Sequence, residues 1–112
     1  MPFINTKTNV EITKEAETKI KTRLGQAVAA LGKSESYLMV GFEDKQRLYF
    51  KGQDTPAAFV EVRLFGKASR SAYDKMTREV TDIVSQETGV PSGRIYVQYE
   101  EVPNWGMAGS NF

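Results

Sequence analysis

The sequence predicts an α+β fold: two βαβ units in tandem, forming a four-stranded mixed sheet with two antiparallel helices on one face. The apolar patterns give a strand, a long helix and a strand, and then the same order again. The two halves superpose at an offset of about 57 residues, which places Gly32 on Gly89. The length of 112 residues, 26% of them charged, suits one globular domain. We therefore expect a single domain over residues 1–112, with pseudo-repeats over about 1–55 and 56–112.

The first half reads as a strand, a helix and a second strand. The apolar segment 2–5 predicts the first strand, and segment 37–42 predicts the second. Between them, apolar residues recur at spacings of three and four, as on one face of a helix. Thr13 is placed to cap this helix at its start, and Gly32 is placed to end it. The apolar stripe consists of Ala16, Ile20, Leu24, Ala27, Val28 and Leu31.

The second half repeats this order. Segments 58–65 and 94–99 predict strands, and Gly89 followed by Pro91 predicts the end of the helix between them. The second stripe consists of Ala72, Tyr73, Met76, Val80, Ile83 and Val84.

Two segments lie outside the repeats. The polar loop 43–56 joins the halves, and its apolar residues 48–50 predict a short strand. The glycine-rich tail 103–112 either frays or adds short edge strands that close a pocket.

The arrangement leaves one face of the sheet without helices. The third strand looks apolar on both faces, with Val60, Val62 and Leu64 on one side and Phe59 and Phe65 on the other. A large exposed apolar face usually marks an association surface. The pattern therefore predicts a homo-oligomer that buries its open sheet faces together, and a single half-solvated sheet is the alternative.

The composition excludes several kinds of chemistry. The chain has no His and no Cys, so it lacks the usual general base, thiol nucleophiles, disulfides and the commonest metal ligands. We expect no metal and no cofactor. A net charge of +1 gives no electrostatic reason to expect nucleic acid or a membrane as a partner. No apolar run is long enough to span a bilayer and no leader opens the chain, so we expect a cytoplasmic protein.

The N-terminus is the first candidate for chemistry. Met1 before Pro2 is the context in which the initiator methionine is ordinarily removed, which leaves a secondary amine. A free α-amine has a pKa near 8, and burial lowers that pKa by favouring the neutral base. Phe3 and Ile4 follow at once, so this amine is expected to begin a buried strand. Many proteins begin with Met-Pro for no chemical reason, and that alternative stays open.

Three further side chains are candidates. Lys33 follows the first helix, where it either complements the helix C-terminus or binds a substrate carboxylate. Tyr96 and Gln98 lie two residues apart on the last strand and share a face. The alternatives are that Tyr96 is a core residue and that the Gln98 amide faces solvent.

Taken together, short motifs along the whole chain resemble the macrophage migration inhibitory factor family of the tautomerase superfamily. They are Met1-Pro2-Phe3, Gly32-Lys33, residues 36–40, Pro56-Ala57-Ala58, Gly66-Lys67, residues 94–97 and the tail 109–112. The resemblance implies a homotrimer whose sheets form a central barrel, with a tautomerase pocket at each subunit interface.

The resemblance also implies roles for particular residues. Pro2 matches the catalytic proline, Lys33 the lysine that binds the substrate carboxylate, and Tyr96 a tyrosine that a neighbouring subunit places in the pocket. Phe65 stands where the family has an isoleucine whose backbone amide contacts substrate, and Gln98 stands in place of an asparagine. The remaining substrate-binding positions are Tyr37, Trp105, Met107 and Phe112, and the rim formed by Trp105 and Met107 departs from the family pattern.

The function implied is keto–enol tautomerisation of a small aromatic α-keto acid such as phenylpyruvate, with dopachrome-type substrates as an option. The alternatives are a cytokine or signalling protein with vestigial turnover, which would act on a protein receptor, and a purely structural oligomerisation module. Relatives leave the cell without a leader, so release is possible here too. The Cys-x-x-Cys motif of the mammalian cytokines would fall near Ala57 and Val60, and both thiols are missing, so we do not expect their redox activity.

Overall fold

The computed structural model describes residues 1–112 and contains the expected order of strand, helix and strand, twice. The first unit comprises β1 (Pro2–Thr8), α1 (Lys14–Ala27) and β2 (Met39–Glu43), and the second comprises β3 (Ala58–Phe65), α2 (Arg70–Thr88) and β4 (Ile95–Val102). A two-stranded hairpin of β5 (Gly106–Met107) and β6 (Ser110–Asn111) follows. No helix has both the length and the apolar character that crossing a bilayer requires.

The four long strands form one mixed sheet in the order β2-β1-β3-β4. Within each unit the two strands are parallel, because the helix between them returns the chain to the end of the sheet at which the first strand began. The two units are joined by the antiparallel pairing of β1 with β3. The predicted α+β architecture is therefore confirmed.

The helix ends follow local chemistry. The Thr13 hydroxyl accepts a hydrogen bond from the Ala16 amide at 3.1 Å, as predicted. Gly32 and Gly89 end the two helical segments with φ of 70° and 81°, a left-handed conformation that costs glycine little. The last turn of the first segment, Val28–Leu31, is a 3₁₀ helix. The cap of α2, in which the Ser69 hydroxyl accepts a hydrogen bond from Ala72 N, was not predicted from the sequence.

The core lies between the two helices and one face of the sheet. Its strand residues alternate along β3, where every second side chain is buried, and the helices contribute the stripes read from the sequence. The cluster consists of Ile4, Ile20, Leu24, Ala27, Val28, Leu31, Ala58, Val60, Val62, Met76, Val80, Ile83, Val84 and Val90.

Two threonines on β1 allow a matched test of this core. Both are fully buried, but the Thr6 hydroxyl has no partner, whereas the Thr8 hydroxyl donates to the Ala57 carbonyl at 2.7 Å. Thr6→Val is expected to stabilise the fold by about 1 kcal/mol, because it removes an unsatisfied buried hydroxyl. Thr8→Val is expected to destabilise the fold by about 1–3 kcal/mol, because it leaves the buried Ala57 carbonyl without this hydrogen-bond donor. Urea unfolding checks both signs, and a loss of stability in Thr6→Val contradicts this account.

Two predicted strands differ from the structure. The second strand begins at Met39, because residues Glu35–Tyr37 form a 3₁₀ turn in which the Ser34 hydroxyl accepts from Ser36 N at 3.1 Å. The expected strand at 48–50 is wrong: only an isolated bridge joins Phe50 to Gln53. Residues 48–50 pair with neither edge strand of the sheet, β2 or β4.

The tail is ordered but does not extend the main sheet. Strands β5 and β6 pair only with each other, so the expectation that they form edge strands of the sheet is wrong for the single chain. Ala108 and Gly109, with φ of 53° and 83°, make the two-residue turn, because paired positive φ values match the twist of a hairpin.

The sheet face opposite the helices is polar through its middle, which corrects the expected apolar face. Asn5 donates to Glu43 at 2.7 Å and to Glu61 at 3.4 Å. Arg63 lies 3.5 Å from Glu61 and 3.4 Å from Glu100. The prediction rested on Phe59 and Phe65, but Glu61 and Arg63 lie between them on the same face, because side chains alternate along β3. These two phenylalanines are only partly buried.

Candidate active site at the N-terminus

Pro2 lies at the start of a central strand. It pairs with Leu64 in the antiparallel β1–β3 register, and it is buried. The Met1 carbonyl accepts a hydrogen bond from the Phe65 amide at 3.1 Å, which ties the end of the chain to the end of β3. The N-terminus is therefore an ordered part of the sheet, as the apolar residues after it predict.

Lys33 directly follows the C-terminal end of the first helical segment, and its side chain reaches the end of β3 beside Met1 and Pro2. The left-handed Gly32 turns the chain, and the Lys33 amide is satisfied by the Val28 carbonyl. The Lys33 ammonium is then free to reach across to the Phe65 carbonyl, to which it donates at 2.9 Å. The backbone of Phe65 thus bonds Met1 through its amide and Lys33 through its carbonyl.

The charge on Lys33 acts on the terminal amine. The pKa of the Met1 α-amine lies below its ordinary value of 8.0, first because partial burial disfavours the ammonium form and second because the Lys33 charge repels it. An amine in this place is therefore biased toward its neutral, basic form.

Aromatic side chains form one wall of the N-terminal cluster, by which we mean Met1, Pro2, Lys33, Phe65 and Phe112. The rings of Phe65 and Phe112 lie 6.0 Å apart. The Phe112 amide donates to the carbonyl of the half-buried Trp105 at 2.9 Å, so the hairpin of the tail holds the last residue in place.

Tyr96 and Gln98 lie outside this cluster. Glu101 on β4 is in register with Leu64, and Tyr96 lies five residues before it, about 17 Å along an extended strand. Gln98 shares the exposed face of β4 with Tyr96 and faces solvent. Tyr37 and Met107 are exposed by 57% and 46%. One chain therefore assembles Pro2, Lys33, Phe65 and Phe112, while Tyr96 and Gln98 remain apart from them.

Tyr96 is not a core residue, since 57% of it is exposed. Its ring meets Phe50 and Phe59 edge to face, with centroids 5.1 and 6.3 Å away. Neither neighbour was predicted from the sequence. Phe59 meets Tyr96 through the β3–β4 register, and Phe50 meets it through the course of a loop, and no local pattern predicts either.

The chemistry open to this cluster is that of an amine, an ammonium and backbone amides beside an apolar wall. Such groups can hold a carboxylate and move a proton. No group of three or more Asp or Glu side chains is arranged to hold a metal ion. Two surface grooves, one between α1 and α2 and one between α1 and β2, include none of the predicted site residues.

Residues 1–112 match the family model of macrophage migration inhibitory factor (MIF). Among solved structures, MIF2 of Leishmania major is 33% identical with a TM-score of 0.95, covering 100% of this chain and 97% of that one. The homologue from Prochlorococcus marinus is 29% identical with a TM-score of 0.90, covering 98% of each chain. A curated homolog from Trichuris trichiura is 29% identical over the full length of both proteins.

Proposed function

The chain belongs to the macrophage migration inhibitory factor family of the tautomerase superfamily, and from that premise we propose that it is an isomerase. Its proposed reaction is the keto–enol tautomerisation of arylpyruvates such as phenylpyruvate, with the Pro2 nitrogen as general base after Met1 is removed. The observation that carries this proposal is the juxtaposition of buried Pro2 with the Lys33 ammonium at the end of β3.

In the proposed mechanism, the neutral Pro2 amine removes a proton from the carbon beside the ketone. Lys33 pairs with the substrate carboxylate and fixes the orientation of that carbon. Lys33 or the Tyr96 hydroxyl donates toward the enolate oxygen, where negative charge develops in the transition state. The proton on Pro2 then passes to that oxygen and completes the enol, so the amine returns to its neutral form.

Removal of Met1 has two consequences in this geometry. With Met1 attached, the Pro2 nitrogen is a tertiary amide and has no basicity. The Met1 carbonyl also occupies the Phe65 amide, at 3.1 Å. Without Met1, both the amine and this backbone donor become available to a substrate, which agrees with the role that the resemblance implies for Phe65.

The complete site requires a second copy of the chain, because Tyr96 is far from Pro2 within one protomer. We propose a homotrimer in which Tyr96 and Gln98 reach the N-terminal cluster of a neighbour. Large apolar side chains at the sheet edges, in the linking loop and in the tail support association: Tyr37, Met39, Tyr49, Tyr96, Met107 and Phe112 are exposed by 46–75%. The polar middle of the helix-free face suits a barrel whose interior stays hydrated.

The proposed function is tested by assaying phenylpyruvate enolisation on protein whose N-terminus is verified by intact mass. Chains that begin at Pro2 are expected to turn over the substrate, and chains that retain Met1 are not. A processed trimer without turnover contradicts the enzymatic proposal and favours the signalling or binding alternative.

Complementation tests whether the site is shared between protomers. Pro2→Gly and Tyr96→Phe homotrimers are each expected to be impaired. In mixed trimers formed at equal amounts, about a quarter of the sites pair an intact Pro2 with an intact Tyr96 from the neighbour, so activity is expected to rise toward that fraction of wild type. Activity that stays at the mean of the two parents would contradict a site shared between protomers.

A further inference from the structure

Arg94 is bonded to more backbone carbonyls than any other side chain in the structure. Its guanidinium donates to the carbonyls of Pro56 at 2.8 Å, Phe50 at 3.2 Å, Gln53 at 3.2 Å and Thr55 at 3.0 Å. All four acceptors belong to the loop before β3. Arg94, which directly precedes β4, therefore holds residues 50–56 of that loop in place. Asn9 also donates to the loop, at the Asp54 and Thr55 carbonyls, but Arg94 is the only side chain that bonds the carbonyls of Phe50 and Gln53.

The part of the loop around Phe50 makes few hydrogen bonds of its own. Residues Phe50 and Gln53 exchange two backbone hydrogen bonds around a tight turn at Lys51 and Gly52, whose φ values are 54° and 74°. A left-handed Lys51 is strained relative to glycine, so this turn needs support from its surroundings. The planar fork of an arginine can bond several carbonyls at once, which a lysine ammonium cannot reproduce.

Arg94 also reaches the face of Phe50. Its guanidinium carbon lies 5.0 Å from the centroid of that ring, within the range of a cation–π contact. Phe50 in turn meets the Tyr96 ring edge to face at 5.1 Å. Tyr96 is otherwise largely exposed, so the Phe50 ring is one of the two aromatic contacts that limit its motion.

We propose that Arg94 is a positioning residue: through Phe50 it holds the Tyr96 side chain in the orientation that the neighbouring protomer's site requires. This inference rests on the proposed function, and of the two enolate donors named there, Lys33 and the Tyr96 hydroxyl, it assigns the role to Tyr96. Arg94 touches neither the substrate nor the reacting atoms, so its effect passes entirely through Tyr96.

The experiment compares Arg94→Lys with Arg70→Lys, a matched change in an exposed arginine that pairs only with Asp74. Arg94→Lys is expected to lower kcat for phenylpyruvate about tenfold with little change in KM, because a misplaced donor weakens only the transition state. In a Tyr96→Phe background the same change is expected to have little further effect. Arg70→Lys is expected to behave as wild type.

A second readout does not require turnover. In protein with labelled tyrosine, the NMR signals of the Tyr96 ring are expected to move in Arg94→Lys and to stay in place in Arg70→Lys. Phe50→Leu removes the ring but leaves the carbonyl bonds of Arg94, and it is expected to reproduce both the kcat loss and the shift. If Arg94→Lys does not fold, Phe50→Leu alone decides.

Several outcomes overturn the inference. These are additive losses in the Tyr96→Phe background, unchanged Tyr96 signals in Arg94→Lys, and unchanged kcat and Tyr96 signals in Phe50→Leu. A wild-type protein without turnover contradicts the proposed function instead, and the NMR comparison still tests whether Arg94 orients Tyr96.

Discussion

Pro2→Gly is expected to lower kcat/KM for phenylpyruvate by about 10²–10³-fold, the usual contribution of a positioned general base. The substitution replaces the secondary amine by a primary one and removes the ring that places the nitrogen at the start of β1. The nitrogen is then free to leave the geometry in which it faces the substrate carbon. The measurement is the initial rate of enolisation on protein of verified N-terminus.

Pro103→Ala serves as the control, because it changes an exposed proline in the tail and leaves β1 intact. Circular dichroism and thermal unfolding are recorded for both variants, so that a folding defect is not read as a catalytic one. Normal rates in a folded Pro2→Gly protein would show that the Pro2 nitrogen is not the base.

Lys33→Met is expected to raise KM for phenylpyruvate about 10- to 100-fold, the value of a hydrogen bond between an ammonium and a carboxylate. The effect falls on KM because the carboxylate is bound equally in the substrate and in the transition state. A ketone without a carboxylate is expected to show no such rise. Lys19→Met, in an exposed lysine on α1, is the matched control.

The same variant is expected to move the pH profile. The Lys33 charge lowers the pKa of the terminal amine in the structure, and it would act in the same direction on a Pro2 amine nearby. Without this charge the amine holds its proton to higher pH. The acid limb of kcat/KM is therefore expected to shift upward in Lys33→Met, and a downward shift would contradict the proposed position of the base.

Local patterns predicted most of the fold correctly. The stripe of apolar residues, the Thr13 cap and the terminal Gly32 and Gly89 all act within a few residues, and the structure contains each of them. The predictions of strands failed where a strand needed a pairing partner distant in the sequence. The strand at 48–50 had the right residue types but no neighbouring strand, and Tyr37 belongs to a turn capped by Ser34.

The sequence by itself determined the order of the elements, their approximate ends and the residue types available for chemistry, because helix and strand periodicity and capping are short-range properties. Only the tertiary structure decided which residues meet. The β1–β3 register brings Met1 to the Phe65 amide, and the packing of the first helix on the sheet brings Lys33 to the Phe65 carbonyl. The β3–β4 register holds Tyr96 far along β4. The polar middle of the helix-free face, by contrast, could have been read from the sequence, because Glu61 and Arg63 alternate with Phe59 and Phe65 along one strand. Register depends on pairing between distant segments, and no local pattern contains that information.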